Sequence, residues 1–275
     1  MNVPDLLDRI QEVCPLPATA HRVAQLAGDP KTRLDQIAAI LATDPALAAE
    51  VMRIANSAAF GRSRQIAELE QAVLLIGASQ IHDMALAMGM LAAFRTKAEL
   101  SFNFHDRAVV AGSIARSLAD KVGIPDKSEM FVCGLLSEIG AMACAVVDAA
   151  EYARIWQQAT DFSRREELER ARYSATSREI GGRLLRRNGL PEGVARAVEA
   201  DSTSLAAGSH ERVTGFARRA AGVLLEVGKR GDVAAVAERV GALRDELGIT
   251  LPAEEVVETC MQAAGAALAA LRQAR

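Results

Sequence analysis

Apolar positions recur along this chain at spacings of three and four, the period of helices with one buried face. Val23, Leu26 and Ala27 share a face, and so do Leu34, Ile37, Ala38 and Leu41. Asp44-Pro45 marks a helix start, because Asp accepts from free amide groups and Pro fits the first turn. Leu47, Val51 and Ile54 line the helix that follows. Ala72, Leu75 and Ile76 end at Gly77, a C-cap position. Ile81, Met84, Ala85, Met88 and Leu91 form the next stripe, and Lys97–Asn103 is more polar. Val109–Val122 predicts a helix that stops at Gly123-Ile-Pro125. The run Val132–Val147, with Glu138 at its middle, predicts one buried helix, capped upstream by Ser128 or Asp126. Ser177–Arg187 is amphipathic, and Glu211–Lys229, Asp232–Leu247 and Ala253–Arg272 predict three helices in the tail. No alternating strand pattern and no fixed-period repeat is present. The pattern predicts an all-α fold of two helical lobes, residues 1–100 and 101–275, joined without a Pro/Gly/Ser linker.

Composition supports helices. The chain has 275 residues with 54 alanines and only 10 aromatics. Alanine is the strongest helix former, and strands favour aromatic and β-branched residues. Half the residues are hydrophobic, 24% are charged and the formal net charge is -3, so a general affinity for nucleic acid is not expected. The four cysteines form no CxxC pair and read as core residues or isolated thiols in a reduced setting. The start Met1-Asn-Val-Pro-Asp5 lacks a signal-peptide pattern, and no stretch reaches the roughly 18 uninterrupted apolar residues of a membrane span. A cytoplasmic location without membrane contact is expected.

The chemical signals are sparse. P-loop, GxGxxG, GxSxG and HExxH motifs are all missing. The four histidines are His21, His82, His105 and His210. His82-Asp83 and His105-Asp106 have the form of a metal-ligating pair but read as surface or capping pairs. Thr32–Asn56 has the outline of a helix-turn-helix. Its second helix offers only Arg53 and Asn56 to a groove, so no DNA partner is expected. Arg183, Arg186 and Arg187 share a helix face that could hold a phosphate or an acidic partner. The competing reading is a solvated face, with Glu179 pairing Arg183.

One block is more specific. It reads Leu16-Pro17, Asp44-Pro45-Ala46-Leu47, Asn56-Ser57-Ala58-Ala59-Phe60-Gly61, then Ala72-Val73 and Gly77. Further matches fall at Gly134-Leu135-Leu136, Ile139-Gly140, Ile180-Gly181 and Leu190-Pro191. In this order the block resembles the HDOD family, the HD-related output domain, from about residue 14 to about residue 202. The resemblance implies a two-lobed helical HDOD fold whose C-terminal lobe is similar to a degenerate HD phosphohydrolase domain. It implies bacterial signal transduction without catalysis, through other signalling proteins, in settings such as motility, stress or cyclic-di-GMP signalling.

The chain departs from that family where metal chemistry would sit. Relatives reading GLLHDIG have His-Asp where this chain has Ser137-Glu138. The relatives' first histidine falls at Asp106, one place after His105, and a later His-His falls at about Asp201-Ser202. Serine is a poor transition-metal ligand. Asp106, Glu138 and Asp201 could converge on a hard ion such as Mg²⁺, or pair with Arg107, Arg116 or Arg183. No catalytic residue, metal or cofactor is assigned. Among the motif residues Asp44, Pro45, Asn56, Ser57, Gly61 and Gly77, Asp44 is expected to cap its helix. Asn56 and Ser57 are expected to bond neighbouring turns, Asn56 with left-handed geometry within its reach. The Asn56–Gly61 turn is alternatively part of a partner-binding groove. The leading expectation is a non-catalytic regulator acting by protein–protein interaction. The alternatives are a degenerate metal-dependent phosphohydrolase and a sensor of a cyclic dinucleotide or other phosphate ligand.

Overall fold

The computed structural model describes residues 3–27, 29, 31–56, 66–204, 208–227 and 232–273. Every regular element among them is helical. The N-terminal half holds α1 (Val3–Val13), α2 (Ala18–Ala27), α3 (Leu34–Leu41), α4 (Pro45–Ala55), α5 (Leu69–Ile76) and α6 (Ala78–Phe102). α2, α4 and α5 pack on α6, and α3 packs on α2 and α5. Asp44 caps α4, its carboxylate accepting from the Leu47 amide at 3.1 Å, with Pro45 in the first turn. The segment Lys97–Asn103, for all its polarity, stays helical to Phe102. Asn103 then turns the chain in left-handed geometry, φ 49°.

The second half begins with α7 (Phe104–Val122), a helix buried along most of its length under α8, α14 and α16. α8 (Lys127–Leu135), α9 (Ile139–Val147), α10 (Ala149–Gln158) and α11 (Phe162–Tyr173) follow. Then come α12 (Ser177–Arg187), α13 (Glu192–Glu199), α14 (Ser209–Glu226), α15 (Val233–Glu246) and α16 (Ala253–Gln273). One apolar core runs through both halves, from Val3 to Leu271, with α9 packed on α1 and α6 as well as on α12. All four cysteines are buried free thiols. The stretch Lys127–Val147 is apolar and long enough to cross a membrane by composition, but 89% of its apolar window is buried inside the fold.

The single helix expected over Val132–Val147 is two. α8, capped by Asp126 rather than Ser128, stops at Leu135. The Ser137 hydroxyl donates to the Gly134 carbonyl at 2.6 Å, a local bond that competes with the helical ladder. α9 then restarts and crosses α12 closely. A Cβ on Gly140 would collide with the Ser177 carbonyl, so only glycine permits this approach. The break matters because it turns Glu138 inward.

Candidate functional site

Glu138 stands at the head of α9 with 1% of its surface exposed. Arg107 from α7 donates to its Oε1 at 3.1 Å, and Arg165 from α11 to its Oε2 at 3.3 Å. A carboxylate this buried would ordinarily have a raised pKa. The guanidinium groups of Arg165, Arg107 and Arg218 outweigh burial, and the Glu138 pKa is lowered.

The cluster extends along α11, α12 and α14. Arg165 and Glu169 lie one turn apart, Nε to Oε1 at 3.5 Å. Glu169, fully buried, also accepts from the Tyr152 hydroxyl at 2.8 Å and the Ser177 amide at 2.7 Å. Arg178 forks onto Glu166 at 2.6 and 2.9 Å and reaches the Glu199 carbonyl at 2.7 Å. Burial again works to raise the Glu166 pKa, but Arg178, Arg218 and Arg165 bring it down to about 2. Arg218 feels the opposite balance: burial exceeds the pull of Glu166 and Glu138, and its pKa falls to about 10. Arg219 forks onto Glu246 of α15 at 2.6 and 2.7 Å.

Two aromatic rings sit among these cations. The Arg107 and Arg165 guanidinium carbons lie 5.2 and 4.9 Å from the Trp156 centroid. Phe162 has Arg165, Arg218 and Arg219 at 4.6, 5.5 and 5.6 Å. Two cavities of about 360 and 580 Å³ open on either side, sharing Phe162 and Arg219 in their walls.

The donors at this position do not fit a metal ion. Both Glu138 oxygens are engaged by guanidinium groups, so a divalent ion beside them would face cations. Among the described residues no group of three or more His, Cys, Asp or Glu could hold a metal. The hard-ion cluster of Asp106, Glu138 and Asp201 is therefore corrected. Glu138 binds Arg107, one of the partners named as the alternative. Asp201 accepts from the amide and hydroxyl of Thr203 at 3.0 and 2.6 Å, and Asp106 lines a separate groove with Leu224 and Met261. Arg116 donates to the Ser128 hydroxyl at 2.9 Å. Arginine stays protonated at ordinary pH, so the cluster offers fixed positive charge and hydrogen-bond donors.

The arginine face of α12 is not an open phosphate site either. Arg186 forks onto Glu192, both bonds 2.8 Å, and also pairs with Glu199. Arg187 pairs with Asp8 of α1 at 2.7 Å. Glu179 bonds the Thr176 amide and Arg170 instead of pairing the exposed Arg183. The His82-Asp83 pair is self-bonded at 2.7 Å. His105 is not a surface residue: it is 6% exposed, with Nε2 3.1 Å from an Arg53 nitrogen. That contact and Asn56 turn the two groove candidates of the helix-turn-helix outline inward.

Asn56 is a clamp. Its amide nitrogen donates to the Met52 and Ile66 carbonyls at 3.0 and 2.9 Å, and its oxygen accepts from the Ile66 amide at 2.7 Å. It does this from right-handed helical geometry, φ -87°, since the side chain reaches Ile66 without a left-handed turn. Ser57 and Gly61 lie outside the described residues. Gly77 has φ +87° with open space around it, so backbone conformation and not crowding calls for glycine there.

Arg165, Arg218, Arg219, Trp156 and Phe162 are not singled out by sequence reasoning. The charged run Asp161–Glu169 contains the Arg165–Glu169 spacing, but such spacing ordinarily marks a solvated face.

The whole fold has solved counterparts. A protein of Shewanella amazonensis SB2B, provisionally named a phosphohydrolase, matches over 98% of both chains at 18% identity, TM-score 0.75. A Marinobacter aquaeolei VT8 protein, provisionally named for signal transduction, matches all of this chain and 61% of its own at 20% identity, TM-score 0.66. An uncharacterised Treponema pallidum protein is 24% identical over 197 residues, which is 69% of this chain and 37% of that protein's length. At these identities the likeness to the solved structures is one of fold. The model of the HDOD domain matches residues 13–204, well over half of the chain, and the protein belongs to the HDOD domain family.

Proposed function

We propose that this protein is a signal-transduction component that works by binding other signalling proteins, without metal-dependent hydrolysis. One observation carries the reading: the glutamate at the HD position is closed off by Arg107 and Arg165 at 3.1 and 3.3 Å. A hydrolase of this kind needs a metal-activated water, and guanidinium groups fixed on Glu138 leave no negative pocket for the ion. HDOD membership and the signal-transduction name of the Marinobacter relative support the signalling half.

The test is a panel of phosphoesters, cyclic di-GMP included, with Mn²⁺, Mg²⁺ or Fe²⁺ added to the full chain. No turnover is expected. Turnover abolished by Glu138→Ala, in a variant shown to be folded, overturns the reading in favour of a degenerate phosphohydrolase. In the native bacterium, tagged protein is expected to capture a specific signalling partner. A deletion strain with normal motility and stress survival and no such partner counts against the docking role.

A further inference from the structure

The 360 Å³ cavity opens directly over the arginine cluster. Arg107 and Arg165, 3% and 4% exposed, form part of its lining. Trp156 and Phe162 add two aromatic walls, and Arg219 and Arg239 contribute from α14 and α15. Its size is at the small end of the range for ligand pockets, about 300–1,000 Å³.

Two features go beyond packing. The buried Nε atoms of Arg107 and Arg219 have no hydrogen-bond partner. Buried donors are nearly always paired, so these two arginines, which line the cavity, are short of acceptors. The acceptors they do have on the cavity side are loosely held. Arg107 donates to Glu226 at 2.9 Å and Arg219 forks onto Glu246, yet those glutamates are 63% and 44% exposed. The arginines are anchored in the fold, and the carboxylates are free to swing into water. A carboxylate held this way contributes little to an ion pair, whereas a phosphate supplies more acceptor oxygens and more charge to the same guanidinium forks.

From this geometry we infer that the cavity binds a nucleoside monophosphate. The phosphate takes the places of the Glu226 and Glu246 carboxylates on Arg107 and Arg219, and the base lies against Trp156 and Phe162. Aromatic rings and guanidinium planes both accept a stacked base. The cavity suits one nucleotide rather than a dinucleotide. This site deepens the binding reading proposed above and rests on it in one respect: the ligand is held, not cleaved.

Trp156 is the only tryptophan in the chain and lines the cavity, so tryptophan emission comes from a single side chain at the site. The experiment titrates the full chain with GMP and AMP, with guanosine and inorganic phosphate as separate arms, and follows Trp156 emission alongside calorimetry and product analysis. Saturable binding of GMP or AMP is expected, with guanosine and phosphate each much weaker. Arg219→Gln is expected to weaken binding about tenfold, the effect of losing a charged fork. Glu246→Gln and Glu226→Gln are expected to tighten it several-fold, a change that a purely structural ion pair would not produce. Circular dichroism checks folding; should Arg219→Gln unfold, the exposed Arg239→Gln replaces it with weaker binding again expected. No saturable binding to the wild type or to the doubly substituted Glu226→Gln, Glu246→Gln protein overturns the site and leaves the non-catalytic reading standing. Phosphate binding as tightly as the nucleotides overturns the base contact and so the proposal. Release of guanosine from GMP overturns this proposal and the non-catalytic reading together.

Discussion

Two arginine clusters in this protein sit in opposite electrostatic surroundings. Arg186 and Arg187 lie on the outer face of α12, 35% and 37% exposed, and meet Glu192, Glu199 and Asp8 through water-accessible ion pairs. Arg107, Arg165 and Arg218 are each under 5% exposed and share Glu138 and Glu166. Water screens the first group and makes its partners interchangeable. In the second group the charges hold one another ionised, and removing one member leaves the others buried with fewer counter-charges. Arginine density on a helix face therefore says little here; burial decides which cluster shapes the molecule.

The strongest way to break that contrast is to remove the buried anion. Glu138→Ala removes the buried carboxylate that Arg107 and Arg165 share, leaving them only the exposed Glu226 and the longer Glu169 contact, and the expected loss of folding stability is about 3–5 kcal/mol. Urea denaturation followed by circular dichroism measures it. A loss below about 1 kcal/mol, the range of a surface pair, would show that water reaches the cluster and that the contrast is false.

The same contrast explains what could be read before the structure. α12 and the cap at Asp44 are local: each follows from spacing and capping chemistry within one turn, and both stand where expected. The break between α8 and α9 is not local. It is tied to Glu138 meeting Arg107 and Arg165, 31 and 27 residues away, and no periodicity within the run encodes that. The family resemblance identified Glu138 as the altered HD position and Arg107 as one possible partner. Arg165 and Arg218 come from α11 and α14, so no sequence window contains the cluster. In the window that holds Arg165, the charges look like those of an exposed helix.

Acid provides a second, smaller test. The Glu166 pKa is lowered to about 2 from an ordinary value of 4.5 by Arg178, Arg218 and Arg165, against the effect of burial. A carboxyl depressed in the folded state binds fewer protons there than in the unfolded chain. Its contribution is therefore complete above about pH 4.5 and fades as pH falls toward about 2. Glu138 is lowered as well and adds in the same direction. Stability should fall through this window, and Glu166→Gln should reduce the slope. An unchanged slope would mean that Glu166 is not held ionised by its arginines.

The smallest effect belongs to the outer cluster. Arg187 pairs with Asp8 at 2.7 Å and bridges α12 to α1, a contact that looks structural because it ties distant parts of the chain together. The two side chains are 37% and 63% exposed, however, and fixing two long side chains in one geometry costs entropy that offsets most of the attraction. Arg187→Ala is expected to change stability by no more than about 0.5 kcal/mol, and the residual effect should vanish in high salt. Parallel urea melts at low and high ionic strength decide the point. A salt-resistant loss above about 2 kcal/mol would place Arg187 with the buried cluster, and exposure would then no longer separate the two groups.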